Sequence, residues 1–152
     1  MKTLVVNKKA RFLYEIIENI EAGIVLQGTE VKALRMGRVN IKDSYAVIRE
    51  GEVFLIKMHI SPYEQGNIYN HDPERERKLL LHRQEIKRLT GKVVEKGMTL
   101  VPLKIYLKNG RVKLELGLAR GKSTVDRRKD IARRDEQRIM EREFKQKTKF
   151  KM

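Results

Sequence analysis

Apolar and polar positions alternate most regularly between Leu103 and Leu118. Leu103, Ile105 and Leu107 alternate with Lys104, Tyr106 and Lys108, and beyond Asn109-Gly110 the residues Val112, Leu114, Leu116 and Leu118 alternate with Lys113, Glu115 and Gly117. Asn-Gly supplies the two positive-φ positions of a tight turn, so this stretch predicts a β-hairpin with one buried face. The same period marks Ile20, Ala22, Ile24 and Leu26 against Glu21, Gly23, Val25 and Gln27. Phe12–Ile17 is also rich in β-branched and aromatic residues, and Tyr45–Ile48 and Val53–Ile60 flank an expected hairpin turn at Arg49-Glu50-Gly51-Glu52. Each of these predicts a strand.

Helical periodicity is rarer. Thr29 is placed to cap a short helix running to Arg35, with Val31 and Leu34 inward and Gly37 ending it. Asp72-Pro73-Glu74 has the order of a helix start, and that helix would carry Leu79, Leu80 and Leu81. A further start lies at His82, with Glu85 able to reach back; Ile86, Leu89 and Val93 form a stripe at helical spacing and Gly97 closes it. Short antiparallel strands with about three inserted helices exclude a doubly wound parallel sheet. The expected fold is mainly β (α+β), an antiparallel barrel of the oligonucleotide-binding (OB-like) kind, because closure removes exposed strand edges.

Charge divides the chain. From Ala119 to Met152 there are 13 Lys/Arg against 6 Asp/Glu, and before the terminal Met152 the large apolar residues are Val125, Ile131, Ile139, Met140, Phe144 and Phe150. The preceding residues hold 22 Lys/Arg and 14 Asp/Glu. A barrel over 1–121 and a basic tail over 122–152 are therefore expected. Pairs such as Asp130 with Arg134 each add only about 0.2–0.5 kcal/mol to a helix, so the tail is expected to be disordered when free and helical when bound. A formal charge of +15 in 152 residues points to a polyanionic partner, nucleic acid above all.

Other classes of chemistry fall away. Without cysteine there are no disulfides or thiolate sites. No apolar run approaches the roughly 20 residues of a membrane span, and the start is too short for a signal peptide, so a cytoplasmic monomer is expected, without membrane, metal or cofactor. His59, His71 and His82 are scattered. Gly117-Leu118-Ala119-Arg120-Gly121-Lys122-Ser123 imitates a phosphate-binding loop but has three residues between its glycines where that motif has four, and it leaves an antiparallel hairpin. A bland reading makes the two glycines a loosened exit from the barrel; a second reading makes Arg120 and Lys122 a cationic collar for a phosphate backbone. Nothing argues for an enzyme. Lys8, Lys9, Arg11, Lys32, Arg35, Arg75, Arg77 and Lys78 are further candidates for a basic surface, and Tyr14, Tyr45, Tyr63 or Tyr69 for base stacking.

Several blocks carry a resemblance. Asn7-Lys8-Lys9-Ala10-Arg11, Gly28–Arg35, His59–Glu64, Asp72-Pro73 followed by Arg77–Leu81, and Gly117–Lys122 together resemble the SsrA-binding protein family, SmpB, in order along the chain. The resemblance implies an OB-like barrel and a role in trans-translation. In it, the tRNA-like domain of transfer-messenger RNA is bound and delivered to stalled ribosomes for rescue and peptide tagging. It implies an RNA surface that includes Asn7, Glu21, Leu89 and Lys122. It also implies a tail that enters the decoding region and mRNA channel of the small subunit, through Asp126, Arg127, Arg128, Arg138, Ile139 and Met140. From the residues alone, a general binder of single-stranded RNA remains the alternative.

Overall fold

Strands β8 (Thr99–Lys108) and β9 (Arg111–Gly121) form the expected hairpin, closed by Asn109 and Gly110 at φ 51° and 74°. The computed structural model describes residues 1–63, 70–121, 132, 138 and 139 of the chain. The chain divides into two units, Met1–Gly121 and Lys122–Met152. Within the first, the remaining elements are β1 (Lys2–Val6), α1 (Lys8–Leu13), β2 (Tyr14–Ile24), α2 (Gly28–Arg35), β3 (Val39–Asn40), β4 (Tyr45–Arg49), β5 (Glu52–Ile56), β6 (His59–Ile60), β7 (Arg77–Leu80) and α3 (Arg83–Lys96).

Antiparallel pairing runs β1-β8-β4-β5-β7-β2-β9, and β9 pairs back onto β8. The ring β8-β4-β5-β7-β2-β9 is thereby closed, with a narrow seam at Ala46 and Leu100, where β4 meets β8. The sheet is OB-like in its closure and its antiparallel order. Ile20, Ala22, Val53, Leu55, Leu79, Leu100, Ile105, Leu114, Leu116 and Leu118 fill its interior, together with Ala33 and Leu34 of α2 and Leu89 of α3. A smaller cluster of Ala10, Val101, Leu103 and Ala119 sits under α1. The register of β8 shifts between Pro102 and Lys104, where proline has no N–H to give to the ladder. That shift lets one strand serve both clusters.

Four sequence expectations change. Phe12–Ile17 is not one strand: Asn7 accepts the Ala10 N–H at 3.1 Å and caps α1, a helix too short to show a period. Thr29 lies inside the first turn of α2 and not at its cap; Gln27 is the cap residue, and its N–H donates to Glu30 at 2.8 Å. The strand expected over Val53–Ile60 breaks at Lys57, φ 61°, so that β6 pairs instead with β3. The helix expected after Asp72-Pro73 is a turn, in which the Asp72 carboxylate accepts the Glu74 N–H at 3.0 Å. The chain then enters β7 between β5 and β2. An Asx turn and a helix cap use the same residues, and only the open slot in the sheet separates the two outcomes.

Arg77, expected on a basic surface, is fully buried. Its Nε donates to Glu30 at 2.5 Å, Nη1 to the Met58 carbonyl at 2.6 Å and Nη2 to the Pro73 carbonyl at 3.1 Å. Arg75 adds a second bond to Glu30, at 2.6 Å. Burial opposes the charge on Glu30. The bonds from Arg75, the Gln27 N–H and Arg77 outweigh it and hold the carboxyl below its ordinary range. This buried network joins α2 to β7.

The strand β9 also runs through the segment that imitates a phosphate-binding loop. Gly117 faces Leu103, and a Cβ there would lie 3.0 Å from Leu103 Cδ1. The glycine serves close packing within the sheet and loosens nothing.

Two stability measurements follow. Glu30→Gln leaves a buried guanidinium without its counter-charge, and denaturant unfolding is expected to show a loss of about 3–5 kcal/mol. The carboxylate's contribution is full above the unfolded-chain pKa and is lost as pH falls through the lower folded value, so the variant is expected to show a flatter acid limb than the wild type. Gly117→Ala is expected to lose about 1–3 kcal/mol through overpacking, read as a lower midpoint at unchanged slope.

Candidate nucleic-acid interface

Glu21 lies on the outward face of β2, with a register partner in Glu115 of β9. From β8, across the width of β9, the Tyr106 hydroxyl reaches over and donates to Glu21 Oε2 at 2.6 Å. Lys108 Nζ stands 3.3 Å from the same oxygen. The Tyr106 bond, with Lys108 behind it, holds the Glu21 carboxyl below its ordinary value. Tyr106 is 4% exposed and Lys104 Nζ lies 5.5 Å from its ring centroid. Burial, reinforced by Glu21, pushes the phenol well above its usual value, so it acts as a fixed donor. An exposed carboxylate is thus held in one place on a cationic protein.

Beside Glu21 a groove of about 340 Å³ is lined by Gly23, Leu80, Leu81, His82, Glu85 and Lys113. Through Gly23, Leu80 and Lys113 it continues into a second hollow of about 310 Å³ bordered by Val31, Arg111 and Val112. Leu80 forms the floor and is 52% exposed, whereas its neighbour Leu79 is 1% exposed and faces the core. Gly23 keeps the floor low: a Cβ there would come within 3.2 Å of Leu80 Cβ. An apolar floor suits the face of a base or a ribose. The carboxylates accept amino, imino or 2′-hydroxyl hydrogens, and the cations suit phosphates.

The other expected site residues are scattered around this groove or lie away from it. Asn7 is 1% exposed, and its amide is fully engaged: Nδ2 donates to the Ile41 carbonyl at 3.1 Å and the Pro102 carbonyl at 2.9 Å, while Oδ1 caps α1. It braces α1, on which Lys8 and Arg11 are exposed. Arg120 is exposed near the start of β2, where its Nε donates to Glu15 at 3.0 Å and that bond raises its pKa. On α2, Lys32 Nζ stands 5.3 Å over the ring of Tyr63, and Arg35 is exposed in the last turn. Leu89 is wholly buried under α3 and offers a ligand no surface. Arg138 and Ile139 are helical and exposed. Lys122, Asp126, Arg127, Arg128 and Met140, and the stacking candidate Tyr69, lie outside the described residues.

The groove adds residues that the sequence reading did not select. Leu80 was hidden by the expected helix; as strand, Leu79-Leu80 places one leucine in and one out. Tyr106 and Lys108 carried a usable signal, since both stand on the polar side of the alternating hairpin. Their contact with Glu21 spans 85 and 87 residues of chain. Among the described residues no group of three or more His, Asp or Glu is placed to hold a metal ion, and no described helix is long and apolar enough to cross a membrane.

Comparison with known proteins shows the family of the chain. An SsrA-binding protein of Geobacillus thermodenitrificans is 60% identical over 149 residues, covering 98% of this chain and 96% of that one. The SsrA-binding protein of Bacillus subtilis is 60% identical over 144 residues, 95% of this chain and 92% of its own. A solved chain from a structure described as "tmRNA-SmpB: a journey to the center of the bacterial ribosome" superposes with a TM-score of 0.66 at 55% identity, covering 79% of this chain and 85% of that one. Residues 4–146 match the family described as SmpB protein, and the chain belongs to that family.

Proposed function

We propose that the chain is an RNA-binding adaptor of trans-translation, which holds the tRNA-like domain of transfer-messenger RNA on its barrel and brings it to stalled ribosomes. Relatives of the same length are SsrA-binding proteins, and a solved relative is described with transfer-messenger RNA and the bacterial ribosome. The observation that carries the reading is the Glu21 carboxylate, fixed by Tyr106 and Lys108 beside the exposed Leu80. A carboxylate repels phosphates, so one held on the surface of a +15 protein is suited to hydrogen-bond donors on bases or riboses. Lys8, Arg11, Lys32, Arg35, Arg120 and Lys122 supply backbone contacts in this reading. Asn7 and Leu89 act through the fold, by bracing α1 and filling the core under α3. The protein works without catalysis, in the cytoplasm.

In the same reading the tail, 122–152, is a second binding surface. It enters the decoding region and mRNA channel of the small subunit, where Asp126, Arg127, Arg128, Arg138, Ile139 and Met140 make the contacts. Its basic charge and thin apolar complement support an element that orders on a polyanion.

The Glu21 site is tested by its sign. Were Glu21 only a surface charge, Glu21→Gln would strengthen RNA binding by removing repulsion. The expected result is a loss of about tenfold, the scale of one charge-assisted hydrogen bond, with an unchanged dependence of affinity on salt. Tyr106→Phe is expected to lose about threefold to fivefold through freedom returned to the carboxylate. The measurement is titration of a labelled tRNA-like transcript across a salt series; stronger binding by Glu21→Gln would sink this role. Truncation after Gly121 is expected to retain transcript binding and to abolish peptide tagging in a reconstituted stalled-ribosome assay. Equal loss of both activities would contradict two separable surfaces.

A further inference from the structure

The outward side of α3 is used by nothing described in the fold. Leu89 turns into the core with Ile86 and Val93 packed beside it, Arg88 donates to Glu18 at 2.6 Å, and Glu85 accepts the His82 N–H at the helix start. Among the other residues of the helix, Arg83, Lys87 and Gly91 form a ridge, one turn apart and about 6 Å from one to the next, which ends at the exposed Glu95. Arg83 and Lys87 are exposed, and among the described residues neither has a hydrogen bond or ion pair.

Gly91 is the informative member. It sits in the middle of a 14-residue helix, where glycine is less favourable than alanine by about 1 kcal/mol. A Cβ built there would meet nothing within 4 Å. Gly23 and Gly117 are held by close packing; Gly91 has no such reason among the described residues. A patch of helix backbone with no side chain, beside the exposed Arg83 and Lys87, admits a bulky anionic chain more closely than any side chain would allow.

We propose that this ridge takes a sugar–phosphate strand of the same RNA that occupies the Glu21–Leu80 groove. The proposal rests on the RNA-binding reading above. Continuity supports it, because His82 and Glu85 at the start of α3 line that groove. Charge supports it too, since Arg83 and Lys87 match phosphates. A protein partner fits less well: among the described residues of α3, Val94 is the one large apolar side chain that stands exposed. The bound strand runs from the groove over the first turns of α3, with Arg83 and Lys87 on its phosphates and its backbone lying against Gly91.

The full-length protein tests this with a labelled transcript of the tRNA-like domain as probe. Gly91→Gln is expected to fold with an equal or higher melting temperature, since glutamine favours helix over glycine. It is expected to bind about tenfold more weakly, the scale of one lost charge-assisted contact. Lys87→Ala is expected to reduce the slope of log affinity against log salt by about one unit. Wild-type affinity in Gly91→Gln, or an unchanged slope in Lys87→Ala, overturns the ridge. If either ridge result fails while Glu21→Gln still weakens binding in that same experiment, the groove reading stands and the ridge alone falls. If an unstructured oligomer outcompetes the transcript on the wild-type protein, both readings fall together.

Discussion

The buried pairing of Arg77 with Glu30 is the constraint on which the candidate interface depends. A guanidinium removed from water demands a carboxylate and carbonyls at fixed positions, and it finds them in α2, at Met58 and at Pro73. Three separate parts of the chain are thereby drawn to the first residue of β7. Once Arg77 is held inward, strand alternation places Lys78 outward, Leu79 in the core and Leu80 in the groove. The apolar floor beside Glu21 is thus a consequence of an ion pair at the other end of the same short strand. Among the described residues, Arg77 with Glu30 is the one ion pair whose two side chains are both fully buried.

Elsewhere, the surface pairs its charges singly. Lys9 meets Asp43, Arg49 meets Glu76, Lys78 meets Glu52 and Arg120 meets Glu15, all with substantially exposed partners. Such pairs contribute little to stability. They do disperse the positive charge, so the body is not uniformly adhesive to polyanions. What distinguishes one region is then the arrangement of a few groups: a fixed carboxylate, an uncovered leucine, and cations on the adjoining helix that have no partner among the described residues. Long-range attraction is supplied by net charge, and selection among RNAs by groups of this kind.

Those parts of the fold that rest on local physics were legible from residues alone. Asn109-Gly110 demanded a tight hairpin, and the Glu85 reach to His82 together with Gly97 at φ 62° bounded α3. The misreadings share a cause. Asp72-Pro73 is compatible with a helix cap and with an Asx turn. Phe12–Ile17 contains apolar residues that serve first a short helix and then a strand. In both places the local energies are close, and packing against distant segments decides.

By itself the sequence determined a basic antiparallel barrel, a charge-rich tail with little to bury, and the absence of thiol chemistry. It also carried the resemblance that named the RNA. Periodicity and composition act between near neighbours, so they reach that far and stop. Tertiary structure alone decided that Asn7 and Leu89 are interior supports, that Arg77 is a buried tie and that Leu80 is a surface residue. It also brought Tyr106 and Lys108 to Glu21. These assignments depend on which segments share a sheet and in what register, and a one-residue change of register would exchange every inward and outward side chain.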